Sequence, residues 1–388
     1  MAIEKINIEY FLELSKHYTI IDVRSPAEYN HAHIPGAYSL PLFTDEERAI
    51  VGTAYKQESR EKAIKHGLDI FGPKMKSMVE DVERILDLRL QNADLNSNKS
   101  EIENPRLPDG QVKSKIVLLY CWRGGMRSGA VGWLLDVYGF KVYTLVGGYK
   151  KFRTRVLDTF KLPFDLNILG GYTGAGKTEV IKELERVGEQ VIDLEEIANH
   201  KGSAFGNIGL PAQPTQEMFE NILSIRLRTL RYESKNDSPN SNPQLIIDHL
   251  PIWLEDESQR IGLINLPRDL WHTMRRSPLY FLDIPFEERL KHIVEEYGCF
   301  EKEKMIDAIL RIKERLGGLE AKKAIEFLNE DNTLESFRIL LKYYDKWYTK
   351  GLHNRENIIS LLHIVKCNSV TPENAKKLVQ QPVYHEKS

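Results

Sequence analysis

The sequence predicts an α/β fold with two parallel sheets, the second followed by a mainly helical C-terminal part. Apolar runs of strand length, such as "YTIIDV" and "KIVLLY", alternate with segments of helical periodicity, which is typical of parallel sheets. Two glycine-rich turns each follow such a run and open a helix. At 388 residues, the chain is also too long for one ordinary core. We therefore expect domains over 1–160 and 161–300, then a helical region over 301–388.

The elements of the first domain can be assigned in order. "YTIIDVRS" is a buried strand that ends in a polar turn, and "SPAEYN" starts a short helix with Ser25 as N-cap and Glu28 three residues later. Residues 44–90 have apolar spacing typical of a helical insertion, and residues 92–114 are a polar surface loop. "KIVLLY" is a strand, "RSGAVGWLLDVYG" a helix closed by Gly139, and "KVYTLVGG" another strand.

The second domain repeats this alternation. "DLNILGGYTGAGKTEVIKELERVG" predicts strand, glycine loop and helix, and "EQVIDLEEIA" begins with a further strand. Residues 234–244 form a polar loop, after which "QLIIDHLPIWLEDES" and "SPLYFLDIP" supply more strands. From Phe286 onward the pattern is mainly helical, and we expect the tail 380–388 to be disordered.

Composition excludes several functional classes. A net charge of -2 gives no global basic field, so an RNA partner would need a local patch. No apolar run is long enough for a membrane span, and acidic residues interrupt the N-terminus too early for a signal peptide. The three cysteines, Cys121, Cys299 and Cys367, are widely spaced, which argues against a disulfide framework or a thiolate metal site. We expect a cytoplasmic protein.

"CWRGGMRSGA" places a cysteine at the end of a buried strand and at the start of a helix. Gly124 and Gly125 permit dihedral angles that turn backbone N–H groups inward, and the helix N-terminus adds positive potential. Both favour the thiolate, so we predict that Cys121 is a nucleophile; the alternative is a buried structural cysteine. Arg127 and Ser128 can bind anionic oxygens. The predicted donor-anion loop consists of Trp122, Arg123, Gly124, Gly125, Met126, Arg127 and Ser128.

The stretch "DVRSPAEYNHAHIPGA", followed downstream by "YCWRGGMRSG", resembles a rhodanese domain. The resemblance implies a rhodanese-like fold for the first domain and places the family's nucleophile at Cys121. It implies scaffold roles for Asp22, Arg24, Glu28, His33, Pro35 and Gly36. Arg127 lies six residues after Cys121, which makes the loop one residue longer than in common rhodaneses. This longer loop is similar to that of phosphatase-like members and favours a donor that contains phosphorus or selenium.

"GYTGAGKT" matches the G-x-x-x-x-G-K-[ST] phosphate loop and has the required context of a preceding strand and a following helix. The motif predicts a P-loop NTPase-like second domain. Its phosphate-binding residues are Gly171, Gly174, Gly176, Lys177 and Thr178. Backbone N–H groups would wrap a diphosphate, Lys177 would add charge, and Thr178 could hold Mg²⁺. ATP is the default ligand, but a diphosphate leaving group on another molecule fits the same cradle.

Acidic and basic residues near this loop are further candidates. We favour Glu255 and Asp256 over Asp248 as acidic partners of the magnesium, although acids also simply favour helix N-termini. The polar loop "ANHKGSAFG" and the basic stretch "RDLWHTMRR" are candidates for substrate or tRNA contact; the alternatives are an ordinary connection and a solvated helix face. The candidate contact residues are His200, Lys201, Ser203, Arg275 and Arg276.

The set of motifs, with "DEERAIVGTAYKQ", "NHKGSAFG" and "EDESQRIG" in this order, resembles the bacterial tRNA 2-selenouridine synthases up to about residue 360. The resemblance implies that selenium from selenophosphate replaces the sulfur of wobble 2-thiouridine in tRNA, through an S-geranylated uridine made from geranyl diphosphate. Cys121 would handle selenium, and Lys177 with its glycines would bind geranyl diphosphate. The implied partners are the anticodon region of tRNA and an enzyme that supplies selenophosphate.

Two other functions stay open at this point. A rhodanese-type sulfurtransferase with a regulatory ATP-binding domain would turn over thiosulfate without tRNA. A small-molecule kinase fused to a rhodanese-derived module would turn over ATP even after Cys121→Ser. Both predict activities that differ from tRNA modification and can be measured separately.

Overall fold

The computed structural model describes residues 3–95, 115–236 and 250–379. The chain divides into two compact units, Met1–Leu157 and Asp158–Ser388, so the helical region 301–388 belongs to the second unit. Asp248 and the tail 380–388 lie outside the described residues, as do most of the predicted loops 92–114 and 234–244. Within the described ranges, no helix combines the length and apolar character that crossing a bilayer requires.

The first unit is an α/β structure. Its strands are β1 (Glu4–Ile6), β2 (Thr19–Asp22), β3 (Tyr38–Ser39), β4 (Ile116–Tyr120) and β5 (Lys141–Leu145). Its helices are α1 (Ile8–Ser15), α2 (Pro26–His31), α3 (Asp45–Gln57), α4 (Arg60–Leu95), α5 (Met126–Tyr138) and α6 (Gly148–Thr159), the last of which runs across the boundary between the units. The strands form one sheet in the order β1-β5-β4-β2-β3, and all neighbours are parallel. The predicted parallel sheet is confirmed.

The central strand β4 explains where the first site lies. Its residues Val117 to Tyr120 are fully buried because helices cover both faces of a parallel sheet. Asp22 at the end of β2 pairs with Tyr120 at the end of β4. The turn after β2 and the cysteine loop after β4 therefore share the carboxyl edge of the sheet, where open α/β sheets place ligands.

Helices α3 and α4 form the predicted helical insertion. Each begins with acidic residues in its first turn, and Thr44 caps α3 by accepting a hydrogen bond from the backbone N–H of Glu47. Helix α4 packs Phe71, Met78 and Val82 into the same core cluster as β4. It continues to Leu95, further than the predicted end near residue 90.

The second unit is also α/β. Its strands are β6 (Leu166–Gly171), β7 (Val191–Ile192), β8 (Ile252–Glu255), β9 (Arg260–Ile261), β10 (Ile264–Asn265), β11 (Leu279–Asp283) and β12 (Leu362–Lys366). Its helices are α7 (Lys177–Arg186), α8 (Leu194–Ala198), α9 (Gln216–Asn236), α10 (Arg268–Arg276), α11 (Phe286–Tyr297), α12 (Lys302–Leu316), α13 (Gly318–Asn329), α14 (Thr333–His353), α15 (Ile358–Leu361) and α16 (Asn374–Val379).

The strands of the second unit form a parallel sheet in the order β12-β11-β6-β8-β7, while β9 and β10 pair as a small antiparallel ribbon. Strand β12 lies in the region that the sequence predicts as helical. Its "LHIVK" run is a strand instead, because it pairs along β11 at the edge of the sheet. Leu169 of β6 pairs with Glu255 of β8, so the phosphate loop and the acidic stretch meet at the carboxyl edge.

Candidate functional site

The cysteine loop is held by backbone hydrogen bonds to the start of α6. The carbonyl oxygen of Cys121 accepts from the N–H of Tyr149 at 2.8 Å, and that of Trp122 accepts from the N–H of Lys150 at 3.0 Å. Gly124 has φ +64, and a Cβ there would lie 2.3 Å from the carbonyl oxygen of Leu145. Gly148 has φ +56, and a Cβ would lie 2.2 Å from the carbonyl oxygen of Cys121. The sequence-based prediction did not include Gly148. The pair of glycines after β5 could have indicated a close approach of two backbone segments there.

The sulfur of Cys121 lies inside this loop. The side chain is 3% exposed, and its Sγ accepts a hydrogen bond from the backbone N–H of Gly125 at 3.3 Å and lies 3.3 Å from the Ser128 hydroxyl oxygen. Burial opposes the thiolate, but hydrogen bonds from Ser128 and Gly125, with the charge of Arg127, outweigh it and lower the pKa of Cys121. The loop thus favours a buried thiolate at the start of α5.

The Arg127 guanidinium is fixed by a carboxylate from α2. Its Nη1 donates to Oε2 of Glu28 at 2.7 Å, and Glu28 also accepts from Nε of Arg48 at 2.9 Å and from the backbone N–H of Ser25 at 3.2 Å. Burial raises the pKa of Glu28, but the two arginines and Ser25 outweigh this and lower it. Glu28 therefore has two roles. It takes part in the predicted cap of α2, and it fixes the position of Arg127.

Arg24, Asp22 and His33, which the rhodanese resemblance marks as scaffold, make structural contacts. Arg24 is fully buried, pairs with Asp22 at 2.6 Å and stacks 3.9 Å from the ring centroid of Tyr149. Nδ1 of His33 lies 2.9 Å from the carbonyl oxygen of Tyr29, and the two rings stack with centroids 4.0 Å apart. These contacts fit a turn histidine rather than a catalytic base.

The phosphate loop joins β6 to α7. Gly174 has φ +79 and Gly176 has φ +70, and a Cβ on Gly174 would lie 2.8 Å from Cδ1 of Ile293. Only glycine fits this path, which leaves the backbone N–H groups at the N-terminus of α7 available for an anion. The Lys177 amino group donates to the carbonyl oxygen of Gly171 at 3.4 Å, and the Thr178 hydroxyl donates to Oε2 of Glu195 at 3.2 Å.

A cavity of about 230 Å³ opens on this loop. One side is polar and includes Lys177, Thr178, Lys201 and Ser203. The other side is apolar and comes from the loop after α8 and from helices α11 and α14. Its residues are Phe205, Ile293, Tyr297, Phe337, Leu340, Leu341 and Tyr344. The sequence alone does not indicate this apolar side, because it depends on the packing of α14 against α11.

The acidic residues near the loop divide into two groups. Glu255 is fully buried and accepts from the backbone N–H of Leu194 at 3.0 Å, and burial raises its pKa well above the usual range. Asp256 lines the cavity but is held by the Arg355 guanidinium at 2.6 Å and the Tyr348 hydroxyl at 2.7 Å. Neither predicted partner contacts Thr178 in the described structure.

The acids that sequence reasoning missed are Glu195 and Glu257. Both line the cavity, and Glu195 is the carboxylate that meets Thr178. Burial raises the pKa of each, against the attraction of Lys177. The signal was present in "DLEE" and "EDES", but only the fold brings these two segments together.

The remaining candidate residues lie in different surroundings. Lys201 and Ser203 line the cavity, and the Lys201 amino group pairs with Glu296. His200 is instead buried against Gly206 and Gly262, and burial lowers its pKa.

Arg275 and Arg276, at the end of α10, are not among the residues that line the cavity. Arg275 is half-buried and donates to the carbonyl oxygen of Gly351 at 3.1 Å, while Arg276 is exposed. A role for both in binding tRNA stays a prediction.

Comparison with known proteins identifies relatives for both units. A family profile described as "tRNA 2-selenouridine synthase AAA domain" matches residues 164–370, and one described as "Rhodanese-like domain" matches residues 8–71. The second match ends before the cysteine loop, so the role of that loop rests on its geometry.

Proteins named tRNA 2-selenouridine synthase are similar over most of the chain. The one from Nitrosomonas europaea is 36% identical over 72% of this chain and 63% of its own length. The one from Pseudomonas savastanoi pv. phaseolicola is 33% identical over 85% of this chain and 87% of its own. The one from Hydrogenovibrio crunogenus is 32% identical over 88% and 91%, respectively. This chain thus spans a little under two thirds of the first relative and most of the other two.

Proposed function

The chain belongs to the family of tRNA 2-selenouridine synthases, and we propose that it replaces the sulfur of 2-thiouridine in tRNA by selenium. Family membership favours this function over a thiosulfate sulfurtransferase or a small-molecule kinase. We further propose that the modified base is the wobble uridine of the anticodon and that the protein acts in the cytoplasm. Another enzyme must supply the activated selenium donor, for which selenophosphate is our candidate.

The cysteine loop is suited to a selenium donor that carries a phosphate. A lowered pKa keeps Cys121 nucleophilic, and the inward N–H groups with Arg127 offer an anion site. Selenium must displace sulfur from C2 of the base, and a bare thiocarbonyl is a poor leaving group. Alkylation of the sulfur gives a thioether that leaves as a thiolate, so a prior prenylation step makes the exchange chemically easier.

The single observation that carries this two-step reaction is the mixed lining of the phosphate-loop cavity. Lys177 and the glycine backbone supply cationic and N–H donors for a diphosphate, whereas Phe337, Leu340 and Leu341 supply apolar surface. The phosphates of a nucleoside triphosphate need no such apolar side chains beside them. Geranyl diphosphate needs both sides, so we propose it as the ligand of this cavity, in preference to ATP.

The described residues offer few side-chain ligands for a magnesium ion at this site. Among the described residues, no group of three or more His, Cys, Asp or Glu side chains is arranged to hold a metal ion. A magnesium ion would therefore rest on the Thr178 hydroxyl and on oxygens of the bound diphosphate, the usual arrangement for this ion. Bound there, it would neutralise charge on the diphosphate. Asp256 is already paired with Arg355, which makes it a poor ligand.

The test is mass spectrometry of nucleosides after incubation of the protein with 2-thiouridine tRNA, geranyl diphosphate and selenophosphate. We expect a geranyl mass gain without selenophosphate, and selenouridine when both donors are present. Cys121→Ser should abolish selenation and retain geranylation, whereas Lys177→Ala should impair geranylation. Unmodified nucleosides with folded protein would refute the proposal, and equal loss of both steps in each variant would refute the division of labour.

A binding measurement separates the two candidate ligands of the cavity. We expect geranyl diphosphate to bind at least about 10-fold more tightly than inorganic diphosphate, because its chain buries apolar surface. ATP should compete weakly. Equal affinity for geranyl diphosphate and inorganic diphosphate would show that the apolar side of the cavity does not contribute to binding.

A further inference from the structure

An exposed tryptophan lies next to the buried nucleophile. Trp122 is 38% exposed, whereas its neighbour Cys121 is 3% exposed. The Trp122 ring centroid lies 5.8 Å from that of Tyr149, which is fully buried and carries the Arg24 guanidinium 3.9 Å from its centroid. Trp122 is thus the exposed member of a cluster of two rings and a cation, in which its ring is tilted by 36° against that of Tyr149.

Three basic residues lie near Trp122, either next to it in the chain or at the start of the helix that its backbone contacts. Arg123 follows Trp122 directly, and the backbone N–H of Lys150 binds the carbonyl oxygen of Trp122. Arg123, Lys150 and Lys151 are all exposed. In the part of the chain that the structure describes, none of the three side chains has an ion-pair partner. The whole chain has a net charge of -2, so this cationic surface is a local feature.

We propose that Trp122 is the stacking platform for an unpaired nucleobase of the RNA, and that Arg123, Lys150 and Lys151 bind its flanking phosphates. The inference rests on the proposed function, since it names where the RNA contacts the cysteine loop. Single-stranded RNA is bound by aromatic rings that stack on bases and by cations along the backbone. A base stacked on Trp122 would lie at the cysteine loop, because Trp122 follows Cys121 directly and consecutive Cα atoms are only about 3.8 Å apart.

Charge argues for RNA rather than a protein that carries selenium. An exposed aromatic side chain alone would fit an apolar protein surface. The nearby cations Arg123, Lys150 and Lys151 have no ion-pair partner among the described residues, which favours an anionic partner. An RNA backbone carries one phosphate per nucleotide and so meets that requirement. A base of the same RNA can stack on the Trp122 ring. A carrier protein as the occupant is therefore the alternative that the test must separate.

The test measures binding of an anticodon stem-loop RNA with 2-thiouridine at the wobble position, by fluorescence anisotropy with the full-length protein. We expect Trp122→Ala to weaken binding by about 10-fold or more and Trp122→Phe to retain most of it, because stacking needs a ring. Trp133→Ala is the matched control, since Trp133 is 52% exposed on α5 and lies away from the loop. The Trp133→Ala variant should bind the RNA as tightly as the wild type does.

The cations are tested by the salt dependence of the same affinity. Each of Arg123→Ala and Lys151→Ala should lower the slope of log affinity against log salt by about 0.7 to 1. Wild-type affinity in Trp122→Ala, or equal losses in Trp122→Ala and Trp133→Ala, would overturn the inference. If the wild type converts tRNA while Trp122→Ala binds it normally, only this inference fails; if the wild type neither binds nor modifies tRNA, the proposed function fails.

Discussion

At the scale of single residues, both loops have glycine at positions where a Cβ would clash with a neighbouring segment. Gly124 and Gly148 let two backbone segments meet behind Cys121, which leaves the sulfur with hydrogen-bond donors. Gly174 and Gly176 let the phosphate loop pass close to Ile293 and Val370, where a Cβ would clash. In both loops the chemistry depends on backbone N–H groups, so small substitutions should have large effects.

The Ser128 hydroxyl should help to keep Cys121 ionised. We expect Ser128→Ala to raise the pKa of Cys121, because a hydrogen bond to the charged sulfur is lost. The rate of alkylation of Cys121 by iodoacetamide should then reach its plateau at higher pH than in the wild type. Peptide mass spectrometry measures this rate, with exposed Cys299 as an internal standard. An unchanged pH profile would exclude this role for Ser128.

Gly174 is a tightly restricted position of the phosphate loop. Gly174→Ala should destabilise the second unit by about 1–3 kcal/mol and weaken diphosphate binding, since its φ is +79 and the new Cβ would contact Ile293. Gly351→Ala is a suitable control, because nothing lies within 4 Å of a Cβ at that helical position. Thermal unfolding and calorimetric titration with diphosphate measure both effects. Equal behaviour of the two variants would contradict this account.

At the scale of elements, α11 and α14 support the phosphate loop through one buried arginine. Arg289 donates to both carboxylate oxygens of Asp345, at 2.9 and 2.8 Å, and to the carbonyl oxygen of Thr173 at 3.0 Å. Tyr348 of α14 adds a hydroxyl that accepts from the N–H of Gly171 at 3.2 Å. The C-terminal helices therefore form one side of the cavity and also fix the loop.

Arg289→Ala should lower the free energy of unfolding of the second unit by about 3–5 kcal/mol, because it leaves Asp345 partly buried without a counter-charge. Arg338→Ala, which removes an arginine that pairs with exposed Glu287, should have a much smaller effect. Urea unfolding followed by circular dichroism distinguishes the two variants. A comparable loss in both would show that the Arg289 network is not a support of the loop.

At the scale of the whole molecule, each unit has its own hydrophobic core. Leu119 lies in the core around β4, and Leu282 lies in the core around β6 and β11; both are fully buried. Two separate cores predict that damage to one unit should leave the other folded. This matters for the proposed function, because each unit carries one of the two proposed anion sites.

Leu119→Ala and Leu282→Ala test this independence as a matched pair. Each should destabilise its own unit by about 2–5 kcal/mol, through lost burial and the cavity left behind. Differential scanning calorimetry should record two transitions, with each variant shifting a different one. A single transition that both variants shift equally would contradict independent unfolding.

Much of this protein follows from the sequence alone. The alternation of apolar runs and helical segments predicts the parallel α/β fold, because strand and helix periodicities are local properties. The phosphate loop and the cysteine loop are also local, since a few consecutive residues define each of them. For the same reason, the start of α2 at Pro26 and the end of α5 before Gly139 could be predicted.

Other features were decided only by tertiary structure. The contact of Glu28 with Arg127 spans 99 residues, and the apolar side of the cavity joins Phe205 to α14. Glu195 meets Thr178 only because β6 lies between β8 and β11 and presents its loop beside α8. The physical reason is common to all three: periodicity and turn chemistry act over a few residues, whereas sheet order and helix packing determine which distant side chains share one space.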